Sequence, residues 1–241
     1  EIQSTTAASD ERHVLLSYYA RLNYTFDSRY MLTATMRRDG TSRFSKDNRW
    51  GTFPSVALAW RVSEEAFLKD NAVLSNLKLR ASYGVTGQQD GIGNYNYLPV
   101  YTASQSGAEA QFGNQYITTY RPEAYVSNLK WETTTAWNAG FDFGFLEDRI
   151  TGSFDYYTRQ TKDLLATVAS PAGTNFDKNI LTNVGNVDSQ GIEVSLNASP
   201  IQSKNWNWDV SFNMTWQKMK VKNLSLVEGG AATNISAGAS I

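Results

Sequence analysis

A side-chain alternation of period two, held for a dozen residues at a time, constrains this chain more than any other feature. From Val14 to Phe26 one side carries Val14, Leu16, Tyr18, Ala20, Leu22, Tyr24 and Phe26, and the other Leu15, Ser17, Tyr19, Arg21, Asn23 and Thr25. Neighbouring side chains of a strand point to opposite faces, so the segment reads as a strand with one apolar and one polar side. The same rule governs Trp206–Gln217 and Thr135–Phe145. It holds less cleanly over Tyr30–Arg38, Phe53–Val62, Leu77–Thr86, Ile150–Arg159 and Gly191–Ala198. Eight strands result. Helix is confined to one short turn, Glu64–Asp70, which Ser63 is placed to cap. The fold class is all-β.

Alternation alone fits a soluble sandwich or a transmembrane barrel, and three observations favour the barrel. Soluble strands usually run about 5–6 residues, whereas a tilted membrane strand needs about 9–11; most of these segments reach the longer figure. The polar side is mainly Ser, Thr, Asn, Gly and Ala, where a water-facing soluble sheet would be richer in Lys and Glu. Finally, Trp50, Trp60, Trp131, Trp206, Trp208 and Trp216 fall near strand ends, as aromatics at the two membrane interfaces do, and only Trp137 lies further in. Trp208 and Trp216 stand roughly 26 Å apart along a strand, about 20 Å after tilt, which matches the apolar band of an outer-membrane barrel. A passive pore, an adhesin barrel and a carbohydrate-binding sandwich are the alternatives.

Composition excludes several other classes. The 241 residues hold 22 Lys+Arg against 23 Asp+Glu, a balance with no basic footprint for nucleic acid. There is no Cys and one His, His13, so thiolate chemistry, Cys-ligated metals and multi-histidine sites are out of reach. No cofactor is expected. No run of about 18 apolar residues exists to form a transmembrane helix. Asp39, Asp47 and Asn48 lack EF-hand spacing, and Gly91-Ile92-Gly93 lacks a strand–helix setting for dinucleotide binding. Sequons at Asn23, Asn213, Asn223 and Asn234 are chance matches in an Asn-rich chain. Asp142, Asp155, Glu193 and Asp209 share the polar side with Arg80 and Arg159; a polar wall explains them better than acid–base catalysis, and no enzyme is expected.

Connections alternate in length. Asp27–Arg29, Leu146–Arg149 and Gln202–Asn205 are tight, and Ser63–Asn76 joins them at the same end; Asp39–Trp50, Gly87–Lys130 and Gln160–Gln190 are long. In barrels of this kind the short turns are periplasmic and the long loops extracellular. Residues 87–130 then form a large extracellular loop with structure of its own, expected as a hairpin around Tyr95–Tyr101. Tyr95, Tyr97, Tyr101, Phe112, Tyr116 and Tyr120 in it are the candidates for substrate or lid contact. On this phasing Glu1 and Ile241 both lie outside, and an eight-strand arc would leave two unpaired edges in lipid. Residues 1–241 are therefore expected to be part of one larger transmembrane barrel.

Arg37-Arg38-Asp39-Gly40-Thr41-Ser42-Arg43-Phe44, then Asn48-Arg49-Trp50-Gly51-Thr52-Phe53-Pro54-Ser55 and Ala59-Trp60-Arg61, resembles the SusC/RagA family of TonB-dependent outer-membrane transporters. Leu77-Lys78-Leu79-Arg80-Ala81-Ser82-Tyr83-Gly84, Thr86-Gly87-Gln88 and Leu129-Lys130-Trp131-Glu132-Thr133-Thr134 continue the likeness in order. So do Asp155-Tyr156-Tyr157, Thr161-Lys162-Asp163-Leu164-Leu165, Asn183-Val184-Gly185 and Gly191-Ile192-Glu193, over residues 14–220 in all. The resemblance implies about eight strands from the later part of a 22-stranded barrel. It also implies a function, import of bulky nutrients (glycans or peptides) in Bacteroidetes-type bacteria. The implied partners are a SusD-like surface lipoprotein closing the mouth, outer-membrane lipid around the wall, and the TonB complex acting through a plug region that has no counterpart here.

Overall fold

A computed structural model describes residues 11–69, 71–105, 107–170 and 179–222. Its frame is one antiparallel sheet of eight long strands: β1 (Leu15–Phe26), β2 (Tyr30–Thr41), β3 (Trp50–Arg61), β4 (Leu74–Gln88), then, after four short strands, β9 (Glu132–Phe145) and β10 (Ile150–Lys162), and, after two more, β13 (Asn186–Gln202) and β14 (Asn207–Lys222). The short ones are β5 (Tyr101–Ala103), β6 (Ala110–Phe112), β7 (Gln115–Ile117), β8 (Tyr120–Pro122), β11 (Leu165–Ala169) and β12 (Asn179–Asn183). The order across the sheet is β1-β2-β3-β4-β9-β10-β13-β14, so every strand pairs with the next long strand in sequence. Among the described residues β1 and β14 each have a single neighbour, and the sheet is an open arc.

The eight long strands are the eight that the alternation predicts, most of them extended by up to five residues at one or both ends. The register explains why the alternation is so clean. Leu22 lies opposite Ala34, Ala34 opposite Val56, Val56 opposite Tyr83, and Tyr83 opposite Trp137. Further round, Phe141 lies opposite Phe154, Phe154 opposite Val194, and Val194 opposite Met214. One apolar surface thus runs unbroken across all eight strands, and it is largely exposed, from Leu22 and Tyr24 on β1 to Phe212 and Trp216 on β14. Register shifts occur at two places, Leu74/Asn76 and Ala198/Ile201, both at the end of the sheet where the turns are short.

Short turns close that end. Asp27 and Ser28 both adopt positive φ, and the Arg29 amide donates to the Phe26 carbonyl at 3.1 Å, closing a tight turn within the three-residue connection Asp27–Arg29. The β3–β4 connection departs from expectation. In place of a helical turn over Glu64–Asp70 there is a 3₁₀ turn at Val62–Glu64 without a side-chain cap, followed by hydrogen-bonded turns through Lys69. Asp70 lies outside the described residues, as do Glu1, Ile241 and the sequons at Asn223 and Asn234.

That connection earns its shape from Glu65. Its carboxylate accepts from Tyr30 Oη at 2.6 Å, Trp60 Nε1 at 2.9 Å and Arg29 Nη1 at 2.9 Å. Tyr30 and Trp60 stack with ring centroids 6.3 Å apart on the apolar surface, so one carboxylate satisfies the polar tips of both rings. The bonds from Tyr30, Trp60 and Arg29 hold Glu65 below the usual carboxylate range. A lowered folded-state pKa contributes stability above the unfolded value of about 4.5 and loses it as pH falls through the folded value. Acid titration of the parent protein, followed by tryptophan fluorescence, is expected to show a transition below that pH which Glu65→Gln abolishes; an unchanged acid limb in the variant would remove Glu65 from the account.

Candidate functional site

The long connections all leave from the opposite end of the sheet and meet there. Phe44 from the β2–β3 loop, Ile92, Leu129 and Trp131 from the β4–β9 loop, and Phe53 from β3 form a buried cluster, with Phe44 and Leu129 fully enclosed. Leu165 on β11 and Leu181 on β12 pack against it, so the β10–β13 loop joins the same cluster. Phe53 pairs with Arg37 and projects from the polar face. The cluster therefore occupies the polar side of the arc, at its rim.

Its geometry depends on a glycine. A Cβ on Gly87 would stand 2.0 Å from the tip of the Phe53 ring, so the ring occupies the space that a side chain at this position of β4 would fill. Trp131 then sits 5.4 Å from both Phe44 and Phe53, edge-on to the latter, and its Nε1 donates to the Arg49 carbonyl at 3.3 Å.

Polar ties bind the loops further. Asn183 Oδ1 accepts from the Lys130 amide at 2.9 Å, while its Nδ2 donates to the carbonyls of Lys130 and Asp163, both at 2.8 Å. Glu132 accepts the Leu165 amide at 3.0 Å, Asn48 donates to the Asn128 carbonyl at 3.0 Å, and Lys130 pairs with Asp163 at 2.9 Å.

Trp131 is thus a correction. It was expected at a membrane interface, but the β9 ladder begins at Glu132, so the strand parity that would aim Trp131 at the apolar face does not reach it. Its ring turns inward. The other five behave differently. Trp50 stacks on Tyr18 at 6.1 Å with Arg38 lying 5.3 Å over its ring, Trp60 stacks on Tyr30, and Trp206, Trp208 and Trp216 are exposed.

Within the longest loop the expected hairpin around Tyr95–Tyr101 is displaced. Pro99 has no amide to donate and residues 95–98 close a turn, the Leu98 amide donating to the Tyr95 carbonyl at 2.9 Å. Pairing begins only at Tyr101, where β5 meets β8, and an inner hairpin of β6 and β7 turns at Gly113-Asn114. Tyr101, Phe112, Tyr116 and Tyr120 sit on these two strand pairs and are each more than 60% exposed. Tyr95 is less exposed, its Oη accepting from the Arg12 amide at 3.1 Å, and Tyr97 is half-buried.

The polar wall has one organised charge group. Arg80 places Nε 3.1 Å from both Asp142 oxygens and Nη2 2.8 Å from Oδ1, and the same Nη2 reaches Asp155 Oδ2 at 2.9 Å. Between them on β9 is Gly140, where a Cβ would stand 2.3 Å from Asp155 Oδ1; the gap lets one guanidinium bridge β4, β9 and β10. Glu193 lies directly across from Asp155 on β13. Of the four carboxylates picked out in the sequence, Asp142 and Asp155 are thus held by a fork-shaped cation, an arrangement that pins three strands together, while Asp209 accepts instead from Ser199 and Asn207.

This geometry meets the comparisons with known proteins. The description "TonB dependent receptor-like, beta-barrel" matches residues 3–237. The chain belongs to this family. The TonB-dependent receptor SusC of Bacteroides thetaiotaomicron is 53% identical over 214 residues, covering 89% of this chain and 21% of SusC. TonB-dependent receptor P39 of Formosa agariphila is 37% identical, covering 94% of this chain and 21% of that receptor. The chain therefore spans about a fifth of the length of these relatives. A solved structure of the RagAB peptide transporter superposes with a TM-score of 0.77 at 29% identity, over 89% of this chain and 23% of its counterpart. The siderophore receptor PirA from Pseudomonas aeruginosa shares the fold, with a TM-score of 0.55 at 18% identity over 88% of this chain and 35% of PirA. The arc is a stretch of TonB-dependent receptor β-barrel wall, and its named relatives are receptors and transporters.

Two outcomes follow for the parent protein. Phe53→Ala empties the rim cluster and is expected to cost about 3–5 kcal/mol; limited proteolysis should then cut within 89–131, and an unchanged cleavage pattern would show that the loops are held without it. Arg80→Ala leaves two carboxylates facing each other and should cost roughly 1–3 kcal/mol in denaturant unfolding. Arg80→Lys, lacking the fork, should recover only part of that loss; full recovery would mean that charge alone matters.

Proposed function

We propose that the parent protein of this chain imports bulky nutrients, glycans or peptides, across the outer membrane in a TonB-dependent cycle, and that this chain supplies eight strands of its wall. The apolar surface faces lipid, the polar surface faces the lumen, and the long loops stand on the extracellular side. The observation that carries the reading is the rim cluster: three long connections are packed and hydrogen-bonded into one body at the mouth, while the apolar side of the same strands stays bare. A mouth held in this way gives a SusD-like surface lipoprotein a fixed seat on which to open and close. The TonB complex acts through a plug region elsewhere in the parent.

Tyr101, Phe112, Tyr116 and Tyr120 are the contact residues in this reading. Their ring faces suit sugar rings and peptide side chains alike. The kinship with SusC and the structural likeness to a peptide transporter support the general reading and leave both substrate classes in play.

The test uses cells that express the parent receptor with or without Tyr101→Ala, Tyr116→Ala and Tyr120→Ala. Labelled oligosaccharides and oligopeptides of matched size are offered. Uptake of one class is expected to fall about tenfold in the triple variant, as several lost aromatic contacts would cause, with the amount of receptor in the outer membrane unchanged. Equal uptake by variant and wild type would remove these residues from substrate contact. A parent protein found in the detergent-free soluble fraction, or purified without a lipoprotein companion, would defeat the transporter reading.

A further inference from the structure

Beyond Trp216 the alternation on β14 turns over. Up to that point the apolar face carries Trp208, Val210, Phe212, Met214 and Trp216; the next three positions on the same face are Lys218, Lys220 and Lys222, while Met219 and Val221 take the polar side. The three lysines are exposed and stand on alternate residues, roughly 7 Å apart along the strand. Opposite them on β13 are Gln190, Asp188 and Asn186. With Trp137, Thr158 and Gln160 they line a groove of about 470 Å³. Lys222 pairs with Asp188, which also accepts from Gln160 at 3.3 Å. Lys220, directly opposite Asp188, also acts on that carboxylate electrostatically, so among the described residues three ammonium groups share one carboxylate and the groove keeps a net positive charge.

This placement has a cost that needs an explanation. A lysine on the lipid side of a barrel is destabilising at the membrane midplane and nearly neutral at the interface. Trp216 marks the interface, and the lysines begin one rung above it. They therefore sit at headgroup depth on the loop end of the wall, facing out of the barrel, where they can meet neither the substrate nor the lumen. A groove there that offers ammonium groups beside neutral amide and hydroxyl donors matches a phosphate ester, which accepts several hydrogen bonds and carries the complementary charge. We propose that this groove binds the phosphate of a phosphorylated lipid headgroup in the outer leaflet, seating its acyl chains against the exposed apolar strip below Trp137 and Trp216. The inference rests on the orientation proposed above, with the long-loop end outside.

The parent receptor, purified in detergent, is titrated with diphosphoryl lipid A and with its dephosphorylated form and followed by native mass spectrometry. Wild type is expected to retain the phosphorylated lipid about tenfold or more over the dephosphorylated one, in keeping with the attraction of anionic headgroups for clustered lysines. The combined Lys218→Gln, Lys220→Gln and Lys222→Gln variant should lose that preference. Equal retention of both lipids by wild type, or a preference that survives in the variant, overturns the proposal. So does displacement of the lipid by millimolar inorganic phosphate, which would make this a site for the free anion. Heat-modifiable gel mobility of the same samples reports the folded barrel separately: wild type without it fails the barrel reading, not the lipid one. Should the variant fail to fold, the two-lipid comparison on wild type still decides.

Discussion

A strand that lies against hydrocarbon has no water to satisfy its backbone, so each amide and carbonyl must find its partner on the neighbouring strand. That requirement underlies the rest of this structure. It forces the eight strands into one antiparallel ladder in which each pairs with the next, and it tolerates irregularity only at Leu74/Asn76 and Ala198/Ile201, both at the short-turn end. Because a slip of one residue would exchange the two faces, the near-perfect register and the clean separation of apolar from polar side chains are a single fact seen twice.

Two places where side-chain chemistry runs against its face lie at the rim. On the polar side, Phe53 presses on Gly87 and gathers Phe44, Leu129 and Trp131 into a small apolar body. On the apolar side, lysines replace tryptophan one rung above Trp216. Both reversals lie at the long-loop end of the sheet. Lower down, Arg80 performs a different task. It links β4, β9 and β10 across the missing side chain of Gly140, stiffening the wall where no apolar packing is available on that face.

Much of this was legible in the sequence. The eight strands, their faces, the alternation of short and long connections, and the charged residues of the polar wall all follow from local pattern, because a strand's two faces are written in adjacent residues. The rim was not legible. Nothing local distinguishes Trp131 from Trp50, since each stands at the edge of a strand; what separates them is that Trp50 lies opposite Gly40 in a formed ladder whereas Trp131 precedes one. The hairpin of the longest loop was misplaced for a similar reason: Tyr-rich sequence from Tyr95 to Tyr101 looks strand-like, but Pro99 interrupts it and pairing waits for partners near Tyr120.

Sequence by itself therefore determined the architecture of the wall, all-β with one apolar and one polar face, and the family to which it belongs. The tertiary structure decided which residues meet. Phe44, Ile92, Leu129 and Leu181 come from three different loops, and Arg80, Asp142 and Asp155 from three different strands. Alternation depends on neighbours in the chain. Convergence depends on how far each ladder extends and where each loop folds back, and those are set by groups far apart in the chain, from Phe44 to Leu181 in one cluster.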